Sequence, residues 1–110
     1  MYGQTVEVTS TVYHATPKQC NEDYGHTATN FKLDTLNPYK HRIVAISRDL
    51  ELKGFKMNDT ITDTGTGIYD GTWIIRDRMN KRWTNRIDFL INKEMRIGKW
   101  ENVLICREDN

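Results

Sequence analysis

Residues 41–61, HRIVAISRDLELKGFKMNDTI, and residues 85–105, NRIDFLINKEMRIGKWENVLI, align without a gap at an offset of 44. Arg42 falls on Arg86, Ile43 on Ile87, Ile46 on Leu90, Gly54 on Gly98, Asn58 on Asn102 and Ile61 on Ile105. Each stretch reads as a β-branched apolar run, a charged segment of about two helical turns, a glycine, and a second β run. A unit of this size cannot bury both faces of its strands alone, so two copies are expected to interlock about a pseudo-twofold axis. Closure into a small barrel would also remove unpaired strand edges.

The flanking sequence adds strands rather than helices. TVEVTSTVY (5–13) alternates, with Val6, Val8, Ser10 and Val12 on one face and Thr5, Glu7, Thr9 and Thr11 on the other. RIVAI (42–46), DTITDT (59–64), GTWIIRD (71–77), RIDFLI (86–91) and WENVLIC (100–106) complete a set of six. Turn signals such as Asp63-Thr-Gly-Thr-Gly and Tyr69-Asp-Gly71 separate them. Only SRDLELKG (47–54) and INKEMRIG (91–98) read as helices, each about two turns and each ending in a glycine suited to a left-handed cap. The expected fold is mainly β: one domain over residues 1–110, with one or two short helices.

Composition narrows the function classes. Sixteen Lys and Arg against fifteen Asp and Glu leave a net charge of +1. That balance lacks the electrostatic footprint of a duplex-binding protein. No apolar run reaches the ~18–20 residues of a membrane span. The opening MYGQTVEVTSTVYH lacks the apolar h-region of a secretory signal, so the expectation is a mature fragment of a longer precursor or a protein that does not use that export route. Cys20 and Cys106 read as free thiols ahead of a disulfide, since nothing else signals an oxidising compartment. His14, Cys20 and His26 are spaced six apart, which matches no zinc motif, so neither metal nor cofactor is expected.

The segment with the most chemistry is DRMNKRWTNRID (77–88), where two aspartates enclose four cations and a tryptophan. It reads as a hairpin that brings two adjacent strand ends together. Two strand-helix-strand halves, with Asp77 and Asp88 eleven positions apart in WIIRDRMNKRWTNRIDFLI, resemble the three-aspartate family of double-psi β-barrels. That family is related to membrane-bound lytic transglycosylase A and to rare-lipoprotein-A-like domains. TSTVY and GHTAT (25–29) resemble the opening strand and the following Thr-Ala segment of such barrels, so the resemblance covers about residues 8–106. It implies a six-stranded double-psi barrel whose halves are about residues 41–61 and 85–105. The sequence departs from the family pattern in one respect: the first aspartate is replaced by Ser47, with Asp49 two residues on.

The resemblance implies lytic cleavage of peptidoglycan, in which one carboxyl group serves as acid and then as base. It places that role on Asp88. Ile87 and Phe89 would raise its pKa and so would a nearby Asp77, whereas Arg86 on the same strand face would lower it, so the net direction is open at this level. Asp77 takes a supporting role. Tyr69 reads as a platform for a sugar ring and Trp83 either as one or as a ring packed onto the barrel from a solvated hairpin, Arg78, Lys81 and Arg82 as partners of glycan or stem-peptide carboxylates, and Ser47 and Asp49 as further binding residues. Trp73 and Trp100 read as core.

Two readings compete with the enzyme. One is a non-catalytic module of the same barrel that binds glycan or protein partners in a larger assembly, which the serine at position 47 favours. A wall-active component of a phage particle would need no secretion signal, and the localisation is otherwise open. Nucleic acid is not expected as a partner, because Asp77 and Asp88 stand beside the cations.

Overall fold

The computed structural model describes residues 2–14 and 32–108. Six strands among them close into a barrel: β1 (Tyr2–His14), β2 (Ile43–Ile46), β3 (Thr60–Thr64), β4 (Gly71–Arg78), β5 (Arg86–Ile91) and β6 (Trp100–Glu108). Around the wall they run β1-β5-β2-β4-β3-β6, and β6 pairs again with β1. Two neighbouring pairs, β1 with β5 and β2 with β4, are parallel; the other four are antiparallel. Beyond the strands, the described residues hold one 3-10 turn, Pro38–His41, and one α-helix, α1 (Arg48–Leu52).

The connectivity carries the expected internal symmetry. Exchanging β1, β2 and β3 for β4, β5 and β6 reproduces every strand neighbour and every parallel or antiparallel sense. The axis therefore passes between β2 and β5 on one side and between β3 and β6 on the other.

Residue by residue, the gapless alignment holds in one part and slips in another. Asn58 and Asn102 are true equivalents, both left-handed at φ 73° and 60°. In the first strands the match is one residue out. Val44 and Ile46 point into the core as Ile87 and Phe89 do, whereas the gapless alignment would pair Val44 with Asp88. Arg42 (φ 52°) is equivalent to Asn85 (φ 55°). The Arg42 carbonyl accepts the Ile74 amide at 2.7 Å, and the Asn85 carbonyl accepts the Thr9 amide at 3.1 Å. Side chains alternate with period two, so a one-residue slip exchanges core for surface; similar residues on both faces of these strands concealed it.

The interior is filled from both halves. Val6, Val8, Val44, Ile46, Ile61, Trp73, Ile75, Ile87, Phe89, Val103 and Ile105 are buried in one cluster. Around Tyr69 stand Tyr39, Trp73, Phe89 and Trp100, with ring centroids 5.6–6.4 Å away. The edge-on contacts among these, with Tyr39, Trp73 and Trp100, add roughly 0.5–1.5 kcal/mol each beyond area burial.

One of the two expected helices forms. Helix α1 ends as its glycine predicts, with Gly54 at φ +104°. Residues 91–98 form no helix. Ile91 stays in β5, and Asn92 turns the chain by accepting the Tyr39 amide at 3.0 Å and donating to Asn37 at 2.7 Å. Gly98 is no helix cap: a Cβ there would lie 2.9 Å from the Trp100 ring, so the residue is small to let the indole pack.

Candidate functional site

The strand register places the aspartates. Ala45 on β2 is opposite Asp88 on one side and Asp77 on the other, and Thr11 on β1 is opposite Asp88. Opposed residues share a face, so Thr11, Asp88, Ala45 and Asp77 form one row across four strands. Val44 and Ile46 point inward, hence the row lies on the outer wall.

This corrects the expected hairpin. The strands β4 and β5 are not neighbours, because β2 runs between them, and the 79–85 connection crosses the end of β2. At about 4.8 Å per strand, the two aspartate backbones are roughly 10 Å apart. Closeness in sequence suggested a hairpin; the barrel instead inserts the partner half's strand.

Asp88 is half-buried, and burial pushes its carboxyl above the usual range, while the Thr11 hydroxyl and the Arg86 charge pull it back. Desolvation is the largest influence, which decides the direction that the sequence left open. Thr11 Oγ1 donates to Asp88 Oδ1. Asp77 accepts from the Tyr13 hydroxyl at 3.3 Å. Tyr13 belongs to β1, three strands round the wall from β4, so its side chain reaches across β5 and β2. It also packs against Leu33, Ile43 and Leu90, an apolar patch beside the row.

On the other side of the row lies a cationic rim. Arg86 shares the outer face with Asp88, and its guanidinium lies 4.2 Å from the Trp83 ring centre, with that of Arg82 at 4.7 Å. Arg86 Nε is buried and has no hydrogen-bond partner. Lys81 and Arg82 are exposed. Arg78 is held by Glu51 of α1 in two hydrogen bonds, 3.0 and 3.1 Å, so it fastens the rim to the helix.

Three residues expected at a binding surface are structural. Tyr69 is 2% exposed and donates its hydroxyl to the Arg96 carbonyl at 2.6 Å, so no ring face is offered to a sugar. Ser47 is fully buried; its Oγ accepts the Arg86 amide at 3.0 Å and its own amide donates to the Arg86 carbonyl at 2.9 Å. Asp49 accepts the Asn85 amide on both oxygens, at 2.9 and 3.1 Å. Ser47 and Asp49 together splice the end of β2 to the start of β5. Trp73, as expected, is core, and Trp100 packs against it.

Sequence reasoning did not single out Thr11 and Tyr13, although the alternation in β1 already set them on the outer face. It also passed over Asp63, an inward residue of β3 that is 1% exposed. Cys106 is free and lies 2.9 Å from Thr5 Oγ1, whereas Cys20, His26 and the GHTAT segment lie outside the described residues. Among the described residues, no group of His, Cys, Asp and Glu has the arrangement of a metal site, and no helix is long and apolar enough to cross a membrane.

Fold and site together define a small closed six-stranded mixed β-barrel with a polar row on its outer wall, bounded by an apolar patch and a cationic, aromatic rim. No protein-family model, no curated protein and no solved structure matches the chain.

Proposed function

We propose that this barrel acts on the glycan strands of peptidoglycan, with Asp88 as a single general acid and base. The observation that carries the reading is the state of Asp88. It is a desolvated carboxyl with a raised pKa, on an outer wall and in the field of the Arg86 guanidinium, which in turn lies against the Trp83 ring. A carboxyl held toward its neutral form can give its proton to a glycosidic oxygen. As the C1–O bond breaks, the muramoyl C6 hydroxyl oxygen bonds to C1 and its proton passes to the Asp88 carboxylate, which regenerates the acid and leaves a 1,6-anhydro end. Water is not a reactant, so a second catalytic carboxylate at hydrolase spacing is not required. Asp77, two strands away across β2 and bound by Tyr13, suits a hydroxyl-holding role. Arg86, Arg82 and Lys81 suit the carboxylates of lactyl groups and stem peptides.

Purified sacculi incubated with the protein should release anhydromuropeptides detectable by mass spectrometry, and Asp88→Asn should lower their yield about a hundredfold or more. Absence of product from the wild type, or undiminished product from the variant, overturns the enzymatic reading.

A non-catalytic module of the same barrel, binding glycan or a protein partner in a larger assembly, is a second reading. It is favoured by the engagement of Ser47 and Asp49 in joining two strands, which among the described residues leaves no third carboxylate at the row. Its mark is glycan binding that survives Asp88→Asn and is lost in Trp83→Ala.

A further inference from the structure

At the end of the barrel away from the rim, β3 and β4 are joined by the loop 65–70, and that loop sits on a buried carboxylate. Asp63, 1% exposed at the foot of the loop, accepts the Trp73 indole N–H on Oδ1 at 3.0 Å, and its Oδ2 is buried without a partner. The same N–H donates to the Tyr69 carbonyl at 2.9 Å, so one indole ties the carboxyl to the loop. The loop closes on itself through Asp70, which accepts from Thr66 N at 2.9 Å and Thr66 Oγ1 at 3.0 Å. Thr66 Oγ1 in turn accepts the Tyr69 amide at 3.1 Å, and the Tyr69 ring plugs the aromatic core. Gly65, Gly67 and Gly71 all have positive φ, so the loop is built at the positions where its backbone turns most freely.

We propose that Asp63 is a protonation latch for this loop: the neutral carboxyl holds residues 65–70 closed over the barrel end, and the ionised carboxylate releases them. The physical reason is the setting of the group. An ionised Asp63 would have one oxygen buried without a donor and would face the Asp70 carboxylate, two costs that opening of the loop relieves. The groups that act on it from the elements around it are Asp70 from the loop, Trp73 and the Gly71 amide from β4, and Arg42 from the entry to β2. The Trp73 and Gly71 N–H groups and Arg42 favour the ionised form in the closed loop and so oppose the release, less strongly than burial and Asp70 drive it, and the Arg42 guanidinium is engaged with the Thr72 carbonyl, the Tyr39 hydroxyl and the Trp73 ring face, 3.8 Å from the ring centre. Burial, with Asp70 adding to it, pushes Asp63 up to about 7, which sets the latch near neutral pH. The latch does not depend on the function proposed for the outer wall.

The test is amide hydrogen exchange by NMR at Thr66, Ile68, Tyr69 and Asp70 between pH 5 and 9, corrected for intrinsic exchange. In the wild type, protection of these amides should fall as the pH rises from 5 toward about 7, by at most tenfold per pH unit, and level above it. In Asp63→Asn it should stay constant, and in Asp70→Asn the midpoint should move to lower pH through a lower Asp63 pKa. Protection that is flat in the wild type, or a fall that persists in Asp63→Asn, overturns the proposal. Should Asp63→Asn fail to fold, the side-chain carboxyl titration of Asp63 in the wild type decides: a midpoint near neutrality that coincides with the fall in protection supports the latch, and an ordinary carboxylate midpoint overturns it.

Discussion

Two carboxylates of this barrel are moved in the same direction by the same cause, burial, but their neighbours separate them. Asp88 has a hydroxyl donor and a cation at its side, and both favour the charged form. Replacing Thr11 by valine keeps the shape of the row and removes the donor, so the Asp88 pKa should rise further. A carboxyl NMR titration checks this, and an unchanged or lower midpoint would mean that Thr11 does not set the acid. Asp63 is the more extreme case, raised to about 7. The native state holds a proton on it between about 3.8 and 7, where the unfolded chain does not, so stability is greatest below the unfolded value, falls through that window and levels above it. Asp63→Asn removes the titration and should be more stable than the wild type at pH 8, by at most on the order of 4 kcal/mol, and nearly equal to it at pH 4. Urea unfolding at the two pH values measures the difference.

Among the elements, connections decided more than strands. The alternation in residues 5–13 and the apolar runs elsewhere gave the strands to within three residues at either end, because a half-buried strand must alternate whatever it pairs with. The turn after β5 was misread because a glycine can serve a cap or a close approach, and the sequence does not distinguish them. Gly98 makes the approach, with the Trp100 ring where its Cβ would be. Gly98→Ala should therefore destabilise by about 1–3 kcal/mol, the usual cost of overpacking. Gly67→Ala has open space and carries only the cost of a left-handed alanine, ~1–2 kcal/mol, at φ +79°. Denaturant midpoints with a near-UV spectrum of the Trp100 environment distinguish the two, since only the first should disturb the indole.

On the scale of the whole molecule, the two halves hold one another together. Each inserts a strand between strands of the other, so Asp77 and Asp88 belong to one row only because β2 lies between them. The aromatic cluster likewise draws Tyr39, Tyr69 and Trp73 to Phe89 and Trp100. The candidate site was thus half legible. Asp88, Asp77, Trp83 and the rim cations stood out by residue type and spacing. Thr11 and Tyr13, some 60 to 80 residues away, did not, because nothing local marks which strand will lie beside β5.

The sequence by itself determined the strands, the inward faces, the repeat and the mainly β class, since these follow from side-chain periodicity within a few residues of chain. Only the tertiary structure decided which strands are neighbours, and with that the one-residue slip in the repeat, the burial of Tyr69, Ser47 and Asp63, and the separation of the two aspartates by β2. The physical reason is that desolvation and pairing are set by whatever the closed wall places opposite a residue, and closure joins segments that the chain keeps far apart.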